Sequence, residues 1–442
     1  MGTPTPSTVS TKLQRIAELA RTIQGAPLRN LAHHIDAEFL REAFGRVRKD
    51  GAPGMDGRTV EDYAKDLDGN LTALLNRFKT GDYRAPPVRR VHIPKEDGRE
   101  KRPIGIPTVE DKVLQRAVTM VLEAVYEQEF LDCSYGFRRG RSPHDALEAL
   151  WKALMDANGG WVLDVDVRRF FDELDHKHLR DILDLRVQDG VLRRTIGKWL
   201  NAGVLEDGNI SYPESGTPQG GVISPMLANI YLHEVVDKWF EQEVKPRVKW
   251  GAWLCRFADD LVIVCRKEED AGRVMAALTK RLEKYGLRIH PEKSRIVDFR
   301  RPQPEEDRRP GTFDFLGFTH HWGESKRGQR VVKRKTAKKR SARFIKRASL
   351  YLKRSRHDPV AEQHKRLSRA LKGHDAYYGL TGNVKALQRL RYALRRVWHK
   401  WLDRRSDQHL TWERFTQIME CFPLPAARVV HSVYRLAAKP CP

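Results

Sequence analysis

Cysteine is scarce in this sequence. Five occur in 442 residues, at Cys133, Cys255, Cys265, Cys421 and Cys441, and no two stand in C-x-x-C spacing. That argues against a disulfide scaffold or a paired-cysteine zinc module and favours a reducing cytoplasm. Long apolar runs are missing as well. No stretch of 18 apolar residues exists, so no membrane span is expected. The opening MGTPTPSTVSTKLQRIAELA has no basic segment followed by an apolar core, so no secretory signal is expected. Acidic residues are scarce in one region only. Residues 321–442 hold 31 Lys and Arg against 8 Asp and Glu, whereas the first 320 residues are nearly balanced. The net charge of +24 is therefore almost wholly a property of the C-terminal part. A balanced body with a basic end is the electrostatic footprint expected of a polyanion binder. The aromatics set among those cations (Tyr377, Tyr378, Tyr392, Trp398, Trp401, Trp412) favour a folded nucleic-acid surface over an acidic membrane.

Hydrophobic residues make up 40% and charged residues 32%, a globular composition rather than a disordered or fibrous one. The length exceeds one compact core, so about two to four domains are expected. Residues 12–80 read as helices broken by the turn GAPGMDG (51–57). Residues 83–107 read as two short strands around Lys95–Arg99, demoted to edge strands by Pro94, Pro103 and Pro107. Helices are expected at 108–130, 142–157, 190–205, 222–240 and 274–285. Short strands are expected at 161–165, 254–265 (two, around a turn), 287–289, 294–299 and 312–319. Residues 300–311 read as a polar linker, 332–372 as a basic helical array and 383–405 as a long helix, with a small module at 411–442.

Three patterns carry chemistry. The apolar strand WVLDVD ends in Asp166, and buried carboxylates are costly unless paired or bound to a cation. Far along the chain, CRFADDLVIVC sets Asp259 and Asp260 in a turn between apolar strands. There they repel each other unless a cation intervenes. An isolated Asp-Asp is more often a solvated hairpin turn, but here the flanks are apolar and a second acid-ended strand exists. Three facing carboxylates suit two hard divalent cations, which at a separation of roughly 3.5–4 Å clamp the attacking and leaving oxygens of a displacement at phosphorus. Third, GTPQGGVISPMLANIYL (216–232) leads a glycine-rich loop into a helix, where backbone can approach a nucleotide and Gln219 can hydrogen-bond it.

Together with GAPGMDG (51–57), VHIPKEDGREKRPIGIP (91–107), SYGFRRGRSPHDAL (134–147), WVLDVDVRRFFDELDH (161–176), RFADD (256–260), YGLRIHPEKSRIV (285–297) and FDFLGF (313–318), these stretches resemble the reverse transcriptases, and among them the enzymes encoded by bacterial group II introns. The resemblance spans about 51–318 in the family's order. It implies an α+β right-hand polymerase with fingers, palm and an α-helical basic thumb. The implied domains are an N-terminal fingers extension (1–80), fingers and palm (81–320), a thumb or maturase domain (321–405) and a short DNA-binding tail (406–442). It implies that Asp166, Asp259 and Asp260 ligate two Mg2+ ions, with Mn2+ as a substitute and the Val167 carbonyl as a further ligand. Lys95 and Arg102 would meet the triphosphate of a dNTP. Phe171 would exclude a 2′-hydroxyl, Gln219 would touch nucleotide or template, and Lys293 would lie near the triphosphate. Phe315 and Gly317 would grip the primer end. Lys335, Lys338, Arg340, Tyr377, Tyr378, Arg395 and Arg396 would meet RNA or the primer–template duplex.

The implied partners are structured intron RNA, a template–primer duplex and target DNA, in the cytoplasm of a bacterium and at its nucleoid when on DNA. One departure stands out: Phe257 occupies the usual tyrosine position before Ala-Asp-Asp. Cys421 and Cys441 stand alone, so no cysteine- and histidine-paired endonuclease module is expected. Two rival readings are a splicing cofactor with secondary polymerase activity and a domesticated relative used in repair or defence.

Overall fold

A computed structural model describes residues 8–94, 101–206, 208–212, 216, 220–303, 309–325 and 327–432. The chain divides into two compact units: residues 1–153 with 160–296, and residues 154–159 with 297–442. Along the chain the two units change over at 153/154, 159/160 and 296/297.

In the first unit, α1 (Val9–Thr22) starts at Thr8, whose hydroxyl accepts from the Thr11 amide, and buries Val9, Ile16 and Ala20. Helix α2 (Ala37–Gly45) is capped by Asp36, which also pairs with Lys12 of α1. A capping box of Thr59 and Asp62 opens α3 (Val60–Ala64), and α4 (Leu67–Thr80) ends at Gly81 in the left-handed region. Strands β1 (Val88–Pro94) and β2 (Lys101–Ile106) form an antiparallel hairpin. Helix α5 (Val109–Tyr126) buries 13 of its 18 residues, as a helix at the centre of a core must. Then come α6 (Pro143–Asp156), β3 (Trp161–Asp166), α7 (Phe170–Glu173), α8 (His176–Asp184) and α9 (Gly190–Leu200). After β4 (Val204–Glu206) and β5 (Asn209–Ser211), α10 (Ser224–Leu232) widens into π-helical turns at His233–Lys238 and Phe240–Val244. Strands β6 (Ala252–Phe257) and β7 (Asp260–Cys265) and helix α11 (Glu268–Lys284) complete the unit.

One sheet runs β2-β1-β4-β5; the other contains β6-β7-β3 in antiparallel register. Strand β1 is therefore internal where Val88 and Arg89 pair with β4, and of the two hairpin strands β2 alone lies at an edge of the sheet. The helices of residues 9–80 contribute to the same hydrophobic core as α5 and the β3–β7 sheet. They are part of this unit and not an appendage.

Strand β8 (Arg295–Asp298) carries the chain into the second unit. There β9 (Phe313–Phe315), β10 (Phe318–Glu324) and β11 (Arg330–Thr336) form a sheet in the order β11-β10-β9. Four helices follow: α12 (Lys338–Arg354), α13 (Val360–Tyr378), α14 (Val384–Asp403) and α15 (Trp412–Cys421). They share a core of Leu352, Leu367, Leu371, Leu394, Trp398 and Phe415.

Residues 332–336, expected as the start of a helical array, are strand instead, because seven consecutive pairs with β10 override the local pattern. The strand expected at 287–289 is reduced to a single bridge between Ile289 and Val167. No described helix is long and apolar enough to cross a membrane.

Candidate active site

Three acidic residues lie at one end of the β6-β7-β3 sheet. Strand β3 buries Val162, Leu163 and Val165 and ends at Asp166. The antiparallel register sets Asp166 directly across from Asp260, the first residue of β7, and Asp260 in turn across from Phe257. Directly opposed residues project from the same face of a sheet, so the carboxylates of Asp166 and Asp260 share that face. Asp259 sits in the connecting turn. Ala258 takes φ 56° there, a left-handed conformation rare for a residue with a side chain.

A second loop is tied to the end of β3. The Asp166 amide donates to Ser294 Oγ at 3.0 Å, the His290 amide donates to the Asp166 carbonyl at 2.8 Å, and the Arg168 amide donates to the Arg288 carbonyl at 2.8 Å. These bonds bring Lys293 Nζ to 3.6 Å from Asp166 Oδ2. Val167 is buried, so only its backbone can serve the site.

Burial raises the Asp259 pKa above the ordinary carboxylate value and the Asp166 charge adds to the rise, opposed by Arg102 and Arg256. A half-buried acid next to a second acid favours a cation in their midst. Carboxylate oxygens are the donors that Mg2+ or Mn2+ takes, so the donor chemistry fits. Among the described residues, however, no three His, Cys, Asp or Glu side chains are gathered so that they could hold a metal ion. One oxygen of Asp166 faces the Lys293 ammonium instead.

Beside the acids, α7 opens at Arg169, at φ 40°. Phe170 is buried, edge-on to Tyr231 at 6.3 Å, while Phe171 is only partly buried. Of the two rings, then, Phe170 is the core residue and Phe171 is the one left accessible. Gly216 presses on this turn: a Cβ there would lie 2.8 Å from the carbonyl oxygens of both Phe171 and Asp172. At the far end of the same loop, a Cβ on Gly220 would lie 2.6 Å from the Gly105 carbonyl of β2. Gly216 thus lies against the Phe171 turn, and Gly220 against the hairpin that carries Arg102. Lys95 and Gln219, the other two expected nucleotide contacts, lie outside the described residues.

Sequence reasoning missed the residues that hold this arrangement. Gln115, buried in α5, accepts from the Val222 amide at 2.8 Å and anchors the loop's exit. Ser294 fastens the Lys293 loop. Arg256 lies fully buried under the Asp259 turn. Gln115 and Ser294 act on partners remote in sequence, and Arg256 is gripped by Ser134, Asn229 and Asp237, also remote, so no local pattern marks any of the three.

In the second unit, Phe315 is buried, so its ring packs inside the hairpin and is not open to a ligand. The β9–β10 turn puts Leu316 at φ 49° and Gly317 at φ 79°. Two tyrosines hold it: Tyr377 Oη donates to the Leu316 carbonyl at 2.9 Å, and Tyr378 Oη would lie 2.8 Å from any Cβ on Gly317. Lys335, Lys338, Arg395 and Arg396 are exposed, and Arg340 is partly so.

Comparison with known proteins follows the same residues. The family described as reverse transcriptase (RNA-dependent DNA polymerase) matches residues 93–320. The group II intron-encoded protein LtrA of Lactococcus lactis subsp. cremoris is 43% identical over 172 residues, which cover 39% of this chain and 28% of that protein. Protein YkfC of Escherichia coli (strain K12) is 32% identical over 290 residues, 58% of this chain and 76% of that protein. A putative COX1/OXI3 intron 2 protein of Saccharomyces cerevisiae is 32% identical over 190 residues, covering 42% of this chain and 22% of that protein. The chain spans less than a third of the length of LtrA and of the yeast protein.

Proposed function

This chain belongs to the reverse transcriptase family, and from that premise we propose that it is an RNA-directed DNA polymerase of the group II intron type, which copies intron RNA into DNA and assists the splicing of that RNA. The observation that carries the reading is the cross-strand pairing of Asp166 with Asp260 beside the Asp259 turn. In this proposal Asp166, Asp259, Asp260 and the Val167 carbonyl hold two Mg2+ ions, or Mn2+ in their place. Bound there, the cations supply charge neutralisation to the attacking and leaving oxygens of a phosphoryl transfer.

The rest of the work falls to the chain itself. Arg102, whose charge already reaches Asp259, and Lys95 steady the triphosphate, because fixed cations stabilise charge that develops on phosphoryl oxygens. Phe171 lies under the sugar and excludes a 2′-hydroxyl. Lys293, held at Asp166 by the Ser294 bonds, stands near the triphosphate and donates a proton to departing pyrophosphate. Gln219 contacts the nucleotide or template. The first unit serves as fingers and palm, and the second, with Gly317, Lys335, Lys338, Arg340, Tyr377, Tyr378, Arg395 and Arg396, as thumb and RNA-binding surface. Partners in this reading are intron RNA, a template–primer duplex, dNTPs and target DNA.

The purified protein is expected to extend a DNA primer on an RNA template with dNTPs and Mg2+; no extension under any template would overturn the proposal. Phe171→Val is expected to raise ribonucleotide incorporation with little change in dNTP use. Unchanged discrimination would assign that ring to packing.

The cation excess of the second unit supports RNA binding in its own right. Splicing of the intron RNA at low Mg2+ by Asp259→Ala is expected to persist, which would separate the two activities.

A further inference from the structure

Arg256 has no exposed surface, and a guanidinium taken out of water needs a complete set of acceptors. It has one. Nε and Nη2 grip Asp237 Oδ1 and Oδ2 at 2.7 and 2.5 Å. Nη2 also donates to Ser134 Oγ at 2.7 Å, and Nη1 to Asn229 Oδ1 at 3.0 Å. The remaining bond runs from Nη1 to the carbonyl oxygen of Ala258 at 3.1 Å. All five N–H donors are thereby used.

The last acceptor is the informative one. Ala258 is the residue with positive φ in the turn, and it immediately precedes Asp259. Its strained conformation persists only where the surroundings over-determine it. They do so from two sides. From within, Arg256 holds the carbonyl. From outside, the segment Cys133–Gly136 is laid along the turn: the Arg256 amide donates to the Cys133 carbonyl at 2.8 Å, and the Tyr135 amide donates to the Arg256 carbonyl at 2.9 Å. A Cβ on Gly136 would stand 2.3 Å from the Ala258 nitrogen. Asn229 joins the two sides, since its Nδ2 donates to the Gly136 carbonyl at 2.7 Å while its Oδ1 accepts from Arg256.

We propose that Arg256 is a positioning residue: with Asn229 as its brace, it sets the turn at Ala258 and so holds Asp259 and Asp260 in the orientation in which they take a divalent cation. This rests on the reading of those aspartates given above. An ion pair with Asp237 alone would need no bond to Ala258, and a lysine could keep the charge but not the fork that reaches both.

The test compares Arg256→Lys, Asn229→Ala and, as reference, Asp259→Ala in the full chain. Mn2+ binding is read by water-proton relaxation on a complex whose primer ends in a dideoxynucleotide, so that no turnover is needed. Steady-state kinetics and circular dichroism accompany it. Arg256→Lys is expected to stay folded and to bind template–primer as the parent does, while Mn2+ affinity and kcat each fall by about 10–100-fold, the usual cost of removing an outer support of a metal ligand. The dNTP KM is expected to move less than kcat. A folded Arg256→Lys with parental Mn2+ affinity and kcat would overturn the proposal. If that variant fails to fold, Asn229→Ala, which leaves the Asp237 pair intact, decides by the same readings: a loss of Mn2+ affinity supports the proposal and parental affinity overturns it. If Asp259→Ala itself keeps Mn2+ binding and synthesis, the cation reading of the turn falls, and the positioning role falls with it.

Discussion

The two units spend their arginines differently. In the first, Arg138, Arg186 and Arg256 are buried, and each faces a carboxylate, on Glu127, Glu129 and Asp237 respectively. In the second, α12 carries eight Lys and Arg in 17 residues with no acid at all and buries only Leu352. Lys338, Lys339 and Arg340 even occupy its first turn, against the positive end of the helix dipole and with no side-chain cap. Arg391, paired with Asp375, is the second unit's counterpart of the buried pairs. Cations of the first kind hold backbone in place: Arg186 donates to the carbonyls of Ala20 and Ala26, Arg138 to those of Leu131 and Ser134, and Arg256 to that of Ala258. Cations of the second kind leave an unfavourable field that a bound polyanion would relieve, and the helices tolerate it because their shared apolar core pays the cost.

The comparison breaks most visibly at the acids. Asp259→Ala is expected to reduce cDNA synthesis on the order of 1,000-fold while RNA binding, measured by filter retention, stays within about twofold, because RNA binding is proposed for the basic unit. Loss of both together would make the division of labour false.

Next in size is stability. Asp237→Ala leaves Arg256 buried without its counter-charge and is expected to cost about 3–5 kcal/mol in urea unfolding, whereas Lys346→Ala on the exposed face of α12 should stay within about 0.5 kcal/mol. Similar values for both would erase the contrast.

A pH effect of about 4 kcal/mol is expected from Asp111. Burial lifts its pKa from 3.8 to about 7, against the opposing hydrogen bond from Trp199. The folded state therefore keeps a proton that the unfolded state has lost. That contribution is complete below about pH 4, falls as pH rises towards 7 and is flat above. Asp111→Asn is expected to flatten the stability profile across that window. The smallest effect is the salt dependence of RNA affinity: each of Lys338→Ala and Lys346→Ala should lower the slope of log K against log salt by about 0.7–0.9.

Much of the site was legible from short patterns. An apolar strand ending in an acid and an Asp-Asp turn between apolar strands are local facts, and both stand where the patterns indicated. The glycine loop was legible as a place of close approach, and Gly216 and Gly220 do touch neighbouring backbone. Three things were not legible. Which of Phe170 and Phe171 is core depends on Tyr231, far along the chain. The strand at 330–336 depends on β10, since Val331, Val332 and Thr336 give only a short strand signal beside its lysines and arginines. Arg256 looks like any strand-flanking arginine until Ser134, Asn229 and Asp237 surround it.

The order of residues alone determined the chemistry on offer: which carboxylates end which strands, where glycine permits close approach, and that the cation excess lies at one end. Only the tertiary structure decided how that chemistry is held: Asp166 across from Asp260, Lys293 turned onto Asp166, and one buried guanidinium bracing the turn between. The reason is physical. Periodicity and turn preference act over a few neighbouring residues, whereas the desolvation of a charge and the pairing of strands are settled by whatever the rest of the chain brings alongside.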